Sequence, residues 1–291
     1  MKRLALVLIL AAACRHEPSL DRAAYEQDVM QWRKYRAVGL TKPDGWTTLV
    51  GLDWLNDGRN ELKLPGGPAG TIVLQNGKTT LEPVASSGLT INGQPVNAPV
   101  EVKTDFDPNG PTIVKRGSVQ FQIIKRDPRG YAVRIKDANG DARVHFKGLD
   151  DFPVDPQWRL VAKFEPYNPP KKIPITNVLG MTTEETSPGA LVFTSPGDSK
   201  EYRIDPINEQ GEQDLFIIIK DQTSRDSTYQ AARYLYAKRP GPDGTTIVDF
   251  NKAYNPPCAF TPFATCPLPP PQNVLPFRIE AGEKRYAGSH R

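Results

Sequence analysis

The sequence predicts a mainly β protein, built from antiparallel sandwich or barrel modules with one N-terminal helix. Short segments that alternate apolar and polar residues follow one another through most of the chain after residue 40. Turn signals such as Asn-Gly and Pro-Arg-Gly separate these segments. Only the region before residue 40 carries a convincing helical stripe, so alternating β and α units are not indicated.

The composition is that of a folded chain. The 291 residues are 38% hydrophobic and 24% charged, with a formal net charge of +4, which is too apolar for a disordered protein. No run approaches the roughly 20 apolar residues that cross a bilayer, so a polytopic membrane protein is excluded. The weak net charge, without a basic patch, gives no case for nucleic acid as a partner.

Residues 1–13 predict a secretory signal peptide. Two basic residues precede the apolar run Leu4–Leu10, and Ala11–Ala13 supply small residues before a cleavage site. Cys14 follows directly and resembles the acylated cysteine of a bacterial lipobox, so membrane lipid would be a partner through acylated Cys14. Plain secretion after Ala13 is the alternative. The predicted location is the bacterial cell envelope, as a membrane-anchored lipoprotein that faces the periplasm or the exterior, or otherwise outside the cell.

The three cysteines fit that location. In an oxidising compartment Cys258 and Cys266 can pair as a disulfide, which leaves Cys14 for acylation. Two thiolates without a nearby His make a poor zinc site, and the spacing is not that of a redox pair. The sequence indicates no metal and no cofactor.

The predicted helix follows the lipid anchor within residues 14–39. Ser19 is its expected cap, the helix runs to about Val38, and Gly39 fits the stop. Tyr25, Val29 and Trp32 form a stripe that we expect to pack on the protein body.

Residues 40–150 are predicted as a first β module. An Asn-Gly turn at residues 76–77 predicts a hairpin. The predicted strands are Thr71–Leu74, Thr79–Val84, Val114–Arg116, Val119–Lys125, Tyr131–Lys136 and Arg143–Phe146.

A second β module is predicted over residues 173–291, after a Pro-rich connection at residues 151–172. Whether the two modules share one core stays open at this point. The predicted strands are Leu191–Phe193, Tyr202–Ile204, Leu215–Ile219, Tyr229–Ala237, Thr245–Phe250 and Phe277–Glu280.

Parts of this second module resemble a known family. The resemblance lies in the segments Asp249–Pro262, Cys266–Asn273 and Ala281–Lys284. It extends to other positions, namely Asp221, Thr223, Thr228, Tyr229, Arg233, Tyr234, Trp46 and Gly51–Leu55. These residues are similar to an uncharacterised prokaryotic family, the domain of unknown function 1684. The resemblance implies a continuous fold and an envelope location, and no catalytic residue.

The standard catalytic motifs are missing, so the sequence leaves open whether the protein is an enzyme. There is no P-loop, no dinucleotide fingerprint, no His-Glu-x-x-His and no nucleophile elbow. His145 is predicted on a solvent-type face of a strand, where a His-dependent triad is not expected.

Polar residues at the ends of three late strands form the candidate site. If the strands are antiparallel neighbours, these side chains collect at one rim, where they would hold an anionic or polyhydroxyl small molecule, or an envelope protein. The candidates are Asp221, Thr223, Thr228, Tyr229, Arg233, Asp249, Asn251, Tyr254 and Asn255.

Three other interpretations of these residues remain. They can form a buried structural network in which Arg233 neutralises an Asp. They can serve a hydrolase that uses Asp221 or Asp249 with Arg233 and Tyr229. The protein can also be a purely structural envelope lipoprotein. Residues 256–276, stiffened by Pro and by the predicted disulfide, lie beside the predicted polar rim and can serve as a lid or as a protein-contact surface.

Overall fold

The computed structural model describes residues 20–209 and 211–288. The predicted signal peptide, the lipidation site Cys14 and the expected cap Ser19 lie outside the described residues. The predicted fold class is confirmed, because antiparallel sheets dominate and helices are few. Among residues 20–209 and 211–288, no helix has the length and hydrophobicity needed to span a membrane.

The N-terminal helix, α1 (Arg22–Leu40), begins three residues after the expected cap. Asp21 caps it by accepting a hydrogen bond from the Ala24 amide at 3.1 Å. The helix continues through Gly39, because Thr41 supplies the C-terminal cap instead. The predicted stripe faces the protein body, with Tyr25 and Val29 buried and Trp32 partly buried.

The first half of the chain forms two antiparallel sheets. One has the strand order β1-β10-β9-β8-β5-β6 and the other has the order β2-β3-β4-β7. Their strands are β1 (Leu49–Trp54), β2 (Gly58–Leu64), β3 (Gly67–Gln75), β4 (Lys78–Pro83), β5 (Thr90–Ile91), β6 (Gln94–Pro95), β7 (Val100–Glu101), β8 (Val114–Arg116), β9 (Val119–Arg126) and β10 (Gly130–Asp137).

A single core lies between these two sheets. It includes Ile72 and Leu81 from one sheet and Phe121, Ile123 and Val133 from the other. The predicted hairpin joins β3 to β4 through Asn76 and Gly77, whose φ angles of +50° and +75° suit the turn that Asn-Gly favours.

The strand predicted at Arg143–Phe146 is wrong. The chain forms a single helical turn there, α2 (Asp141–Val144), and the His145 side chain contacts Asp141 at 2.7 Å. The Arg143 guanidinium donates to the carbonyls of Thr41 and Ala138 at 2.8 and 2.7 Å. These bonds hold the helical turn against the end of α1. The segment is therefore helical and is not part of a sheet.

The second half of the chain forms two further antiparallel sheets, with the strand orders β13-β12-β11-β17 and β14-β15-β16. Their strands are β11 (Arg159–Thr176), β12 (Thr182–Thr194), β13 (Glu201–Ile204), β14 (Ile207–Asn208), β15 (Leu215–Ile219), β16 (Arg233–Ala237) and β17 (Thr245–Asp249). Short 3-10 turns occur at Trp46–Thr48, Pro156–Trp158, Gln222–Arg225, Phe250–Lys252, Pro257–Ala259 and Pro271–Asn273.

Much of the Pro-rich stretch predicted as a connection belongs to β11. The ladder between β11 and β12 shifts register between Pro166 and Lys171, so Pro169 and Pro170 sit where the regular pairing is interrupted. The last predicted strand, Phe277–Glu280, is also wrong. That segment is irregular and contacts side chains, as when the Ile279 amide donates to Asp221.

The three late strands were expected to be antiparallel neighbours, and the structure places the third of them, β17, in a different sheet. β16 pairs with β15, whereas β17 pairs with β11 in the other sheet. β15 is buried along its whole length, as its continuous apolar run predicts, because its two faces contribute to different cores. Leu49 of the first half packs in the core that contains Phe216, so the two halves meet through apolar contacts.

Candidate functional site

Asp221 and Arg233 form a buried ion pair. Arg233 Nη2 donates to Asp221 Oδ2 at 2.7 Å and to the Ile279 carbonyl at 3.0 Å, and Nη1 donates to the Ala281 carbonyl. The Asp221 carboxylate also accepts bonds from the Thr223 amide and hydroxyl at 2.9 and 2.7 Å. Both partners are thus engaged within the protein, and the arrangement is that of the structural network.

Two other candidates extend this region. The Thr228 and Thr223 hydroxyls lie 2.8 Å apart, so Thr228 belongs to the same buried network. The Tyr229 hydroxyl donates to the Cys258 carbonyl at 2.9 Å and supports the Pro-rich loop.

Asp249 and Asn251 attach α1 to the second half. The Tyr25 hydroxyl donates to Asp249 Oδ1 at 2.8 Å, and Asn251 Nδ2 donates to the Tyr25 oxygen at 2.9 Å. Asn251 Nδ2 also donates to the Asp155 carbonyl at 2.8 Å. Burial raises the pKa of the Asp249 carboxyl, and the Tyr25 bond opposes that rise.

Asn255 belongs to a third group. The backbone amide of Asn255 donates to Glu283 Oε2 at 2.7 Å, and its side-chain Nδ2 donates to the Lys284 carbonyl at 2.7 Å. Arg36 of α1 donates to the other Glu283 oxygen at 3.0 Å and to the Asn255 carbonyl at 2.7 Å. Burial raises the pKa of Glu283 despite the charge of Arg36.

The nine predicted residues therefore do not form one rim. They distribute over the buried network, the attachment of α1 and the support of the Pro-rich loop. Tyr254 is the one of the nine that lines a large hollow of the described chain.

That hollow is a cleft between the two halves of the protein, with a volume of about 1110 Å³. Small-molecule sites are typically roughly 300–1,000 Å³, so a compact organic ligand fits within it. The first half contributes β9, β10 and the loop at Asp105. The turn at Trp46 also lines the cleft. α1, the ends of β11 and β12 with the turn between them, β14, β15, β16 and the Pro-rich loop supply other sides.

Aromatic rings form a continuous wall of the cleft. The Trp32 and Tyr254 ring centroids are 6.3 Å apart, and the Tyr254 and Tyr236 rings stack with centroids 6.4 Å apart. Phe216 follows at 5.1 Å from Tyr236, and Tyr234 lies 5.0 Å from Phe216. These five residues are the aromatic wall. Such a surface binds the flat apolar part of a ligand.

Most cations at the cleft already have acidic partners. Arg126 contacts Asp105 at 2.6 Å and Lys125 contacts Asp127 at 3.4 Å. Arg36 and Lys252 are paired with Glu283 at 3.0 Å and with Asp28 at 2.6 Å. These four charges are therefore largely compensated.

Arg134 of β10 differs from them. It is 8% exposed and lines the cleft, and its buried Nε has no hydrogen-bond partner. No ion pair or side-chain hydrogen bond joins the Arg134 guanidinium to any residue in the ranges 20–209 and 211–288. Its guanidinium carbon lies 5.3 Å from the Trp46 ring centroid. Burial and the nearby charge of Arg126 lower the pKa of Arg134 to about 10, so it is charged at neutral pH.

Acidic groups also face the cleft. The Tyr236 hydroxyl donates to Glu209 Oε2, and burial raises the pKa of Glu209. Glu185 accepts a bond from the Thr183 hydroxyl at 3.0 Å. Within the described part of the chain, no three His, Cys, Asp or Glu side chains group as a metal site.

The Pro-rich loop borders the cleft through Cys266 and Pro267. The Cys258 amide donates to Cys266 Sγ at 3.1 Å, and both cysteines are free thiols in the structure, without the predicted disulfide. A hydrogen bond between the two thiols lowers the pKa of Cys258, whereas burial raises that of Cys266. Because the two thiols are adjacent, a disulfide between Cys258 and Cys266 would require little movement of the loop.

Sequence reasoning missed Arg134. The alternation in β10 predicts a polar face toward solvent, and Arg134 lies on that face. In the structure this face is covered, and residues 132–135 are all buried. The covering residues are distant in sequence, so no local pattern at Arg134 could have revealed it.

Comparison with known families matches residues 144–284 to a family described as "Protein of unknown function (DUF1684)". This segment of the chain is therefore similar to DUF1684. The resemblance noted from the sequence is thereby confirmed over residues 144–284, whereas Trp46 and Gly51–Leu55 lie outside the match. The DUF1684 segment supplies Tyr234, Tyr236, Tyr254 and Cys266 to the cleft, whereas Arg134 precedes it. The cleft is thus built jointly by the family segment and by the first half of the chain.

One similar solved structure is the solution NMR structure of an uncharacterized protein from Haloarcula marismortui. It is 27% identical over 50% of this chain and 80% of that chain, with a TM-score of 0.41. No curated protein matches the chain.

Proposed function

We propose that this protein binds a small organic ligand in the cleft between its two halves, and that it does so outside the cytoplasm as a lipid-anchored envelope protein. The aromatic wall is the observation that carries the binding proposal. Five rings from α1, β15, β16 and the segment after β17 face one hollow of about 1110 Å³. A hollow lined by aromatic side chains with a few polar groups is typical of a small-molecule site.

The test is a variant that fills the cleft. Thr265 is partly exposed and lines the cleft, so Thr265→Trp places an indole where a ligand would lie. We expect aromatic fragments that bind the wild type to bind this variant about tenfold more weakly or worse, as measured by ligand-observed NMR.

Thr80→Trp is the matched control. Thr80 is partly exposed on β4 and does not line the cleft, so fragment affinity should match the wild type. Failure of every fragment to bind, or equal binding to the Thr265→Trp variant, would contradict the proposed function.

Export and anchoring rest on residues 1–14 of the sequence. A basic start, an apolar run and small residues before Cys14 are typical of an acylated precursor, and more than one acyl chain gives stable membrane attachment. The adjacent thiols of Cys258 and Cys266 support the proposal, because an oxidising compartment would join them as a disulfide.

We expect the wild type in the membrane fraction. Its intact mass should show an acylated Cys14 at the N-terminus. Cys258 and Cys266 should resist alkylation until they are reduced. Cys14→Ser should release the protein to the soluble fraction, since the anchor is lost. Cys258→Ser, the control for the same chemical change, should stay with the membrane. An unacylated N-terminus would refute anchoring, and freely alkylated thiols would refute the disulfide.

A further inference from the structure

Arg134 is a buried cation that the protein leaves without an acidic partner. A charged side chain removed from water is normally paired and hydrogen-bonded, because desolvation without compensation is unfavourable. Arg233 shows the usual arrangement in this same chain, because its two Nη atoms donate to one carboxylate and two carbonyls, although its Nε lacks a partner as that of Arg134 does. The Arg134 guanidinium lines the cleft, and among the described residues no carboxylate or carbonyl lies within ion-pair or hydrogen-bond distance of it; Asp105, which contacts Arg126, attracts it from farther away.

We propose that the cleft selects a planar organic ligand with a single carboxylate, which the Arg134 guanidinium binds. A guanidinium presents a fork of N–H donors that matches the two oxygens of a carboxylate. The ligand would then complete the pairing of Arg134. This inference rests on the cleft being the ligand site, as proposed above.

The charge of the cleft favours one negative charge over two. Arg36, Lys125, Arg126 and Lys252 already contact carboxylates, so Arg134 is the uncompensated cation among the described lining residues. Asp105, Asp127, Glu185 and Glu209 also line the cleft and would repel additional negative charge. A phosphate ester with two charges fits this distribution less well than a carboxylate.

The surroundings of Arg134 favour a flat ligand body. The Trp46 ring lies beside the guanidinium, and the aromatic wall belongs to the same cleft. Rings stack on flat apolar groups and exclude water from the ion pair, which strengthens it. The carboxylate and the flat body therefore have separate binding surfaces in one hollow.

The experiment compares 2-naphthoate with the neutral 2-naphthamide, using isothermal titration calorimetry on the full mature protein. We expect the naphthoate to bind the wild type about tenfold to hundredfold more tightly than the amide, because a charge-assisted bond is present only in the acid. Arg134→Met should remove that difference and change the affinity for the amide by less than about threefold.

Arg59→Met is the charge-matched control, since Arg59 is exposed on β2 and is absent from the cleft. It should bind both probes like the wild type. Thermal unfolding supplies a second measurement. Without ligand, Arg134→Met should unfold at the wild-type temperature or higher, because it removes a buried charge that lacks a partner.

Two results would overturn the inference while the cleft-filling experiment still supports the cleft as a site. They are equal affinity of the wild type for the two naphthalene probes, and tighter binding of phenyl phosphate than of naphthoate. A loss of stability in unliganded Arg134→Met would assign Arg134 a structural role instead. Failure of both naphthalene probes to bind also overturns the inference, and the fragment experiment judges the proposed function separately.

Discussion

Arg233→Met should lower the free energy of unfolding by about 3–5 kcal/mol, because it leaves the Asp221 carboxylate buried without its counter-charge. Arg233 is 1% exposed and Asp221 is 4% exposed, so solvent cannot replace the lost contact. The carbonyls of Ile279 and Ala281 would also lose their donor. Urea denaturation followed by circular dichroism measures the change.

The double variant Arg233→Met, Asp221→Asn tests this explanation. Removal of both charges should restore part of the stability that the single variant loses, since no uncompensated charge remains. Arg278→Met is the control. It breaks a contact of 2.9 Å between Arg278 and Asp226 that is open to solvent, and it should change the midpoint little.

Ligand binding by the Arg233→Met variant tells whether Arg233 belongs to a buried structural network or to the ligand site that the sequence predicted. If Arg233 holds the Asp221 network together, the single variant loses stability while any folded fraction keeps its affinity for cleft ligands. If Arg233→Met instead keeps the wild-type denaturation midpoint but binds cleft ligands more weakly, Arg233 belongs to the ligand site that the sequence predicted.

Local patterns predicted the elements that depend on neighbouring residues. Asn76 and Gly77 define a hairpin because they adopt positive φ at low cost, and the apolar run Leu215–Ile219 predicts a buried strand because every position is apolar. The stripe Tyr25, Val29 and Trp32 predicts the buried face of α1 for the same kind of reason. These inferences need no knowledge of distant segments.

Long-range placement is the part that the sequence did not predict. Arg233 and Asp249 were expected on neighbouring strands, whereas the structure places them in different sheets. The sequence pattern of β10 predicts a solvent-exposed polar face, whereas Arg134 is 8% exposed and lies beside the Trp46 ring. In both cases the deciding contacts come from residues far away in sequence, so alternation alone could not select the partner surface.

Gly282→Ala is the other variant with a large expected effect, a loss of about 3 kcal/mol or more in the free energy of unfolding. Gly282 has φ of +77°, and a Cβ there would lie 2.4 Å from the Ala253 carbonyl oxygen and 2.8 Å from that of Phe250. The Ala253 oxygen already accepts the Glu283 amide at 2.8 Å. Because both obstacles are backbone atoms, relief requires movement of the chain.

Gly148→Ala separates the clash from the backbone conformation. Gly148 has φ of +79°, almost the same as Gly282, but no heavy atom lies within 4 Å of its Cβ position. The free energy of unfolding of Gly148→Ala should fall only by the about 1–2 kcal/mol that an alanine in the left-handed conformation costs. The difference between the two variants in urea denaturation then measures the close approach at Gly282.

The clash should also displace Glu283, whose carboxylate joins Arg36 of α1 to the Asn255 amide. We therefore expect amide hydrogen exchange in α1 to rise in Gly282→Ala and to stay at the wild-type level in Gly148→Ala. Equal losses of stability in the two variants would show that the left-handed conformation alone accounts for both. In that case the Ala281–Lys284 segment would not depend on the contact between Gly282 and Ala253.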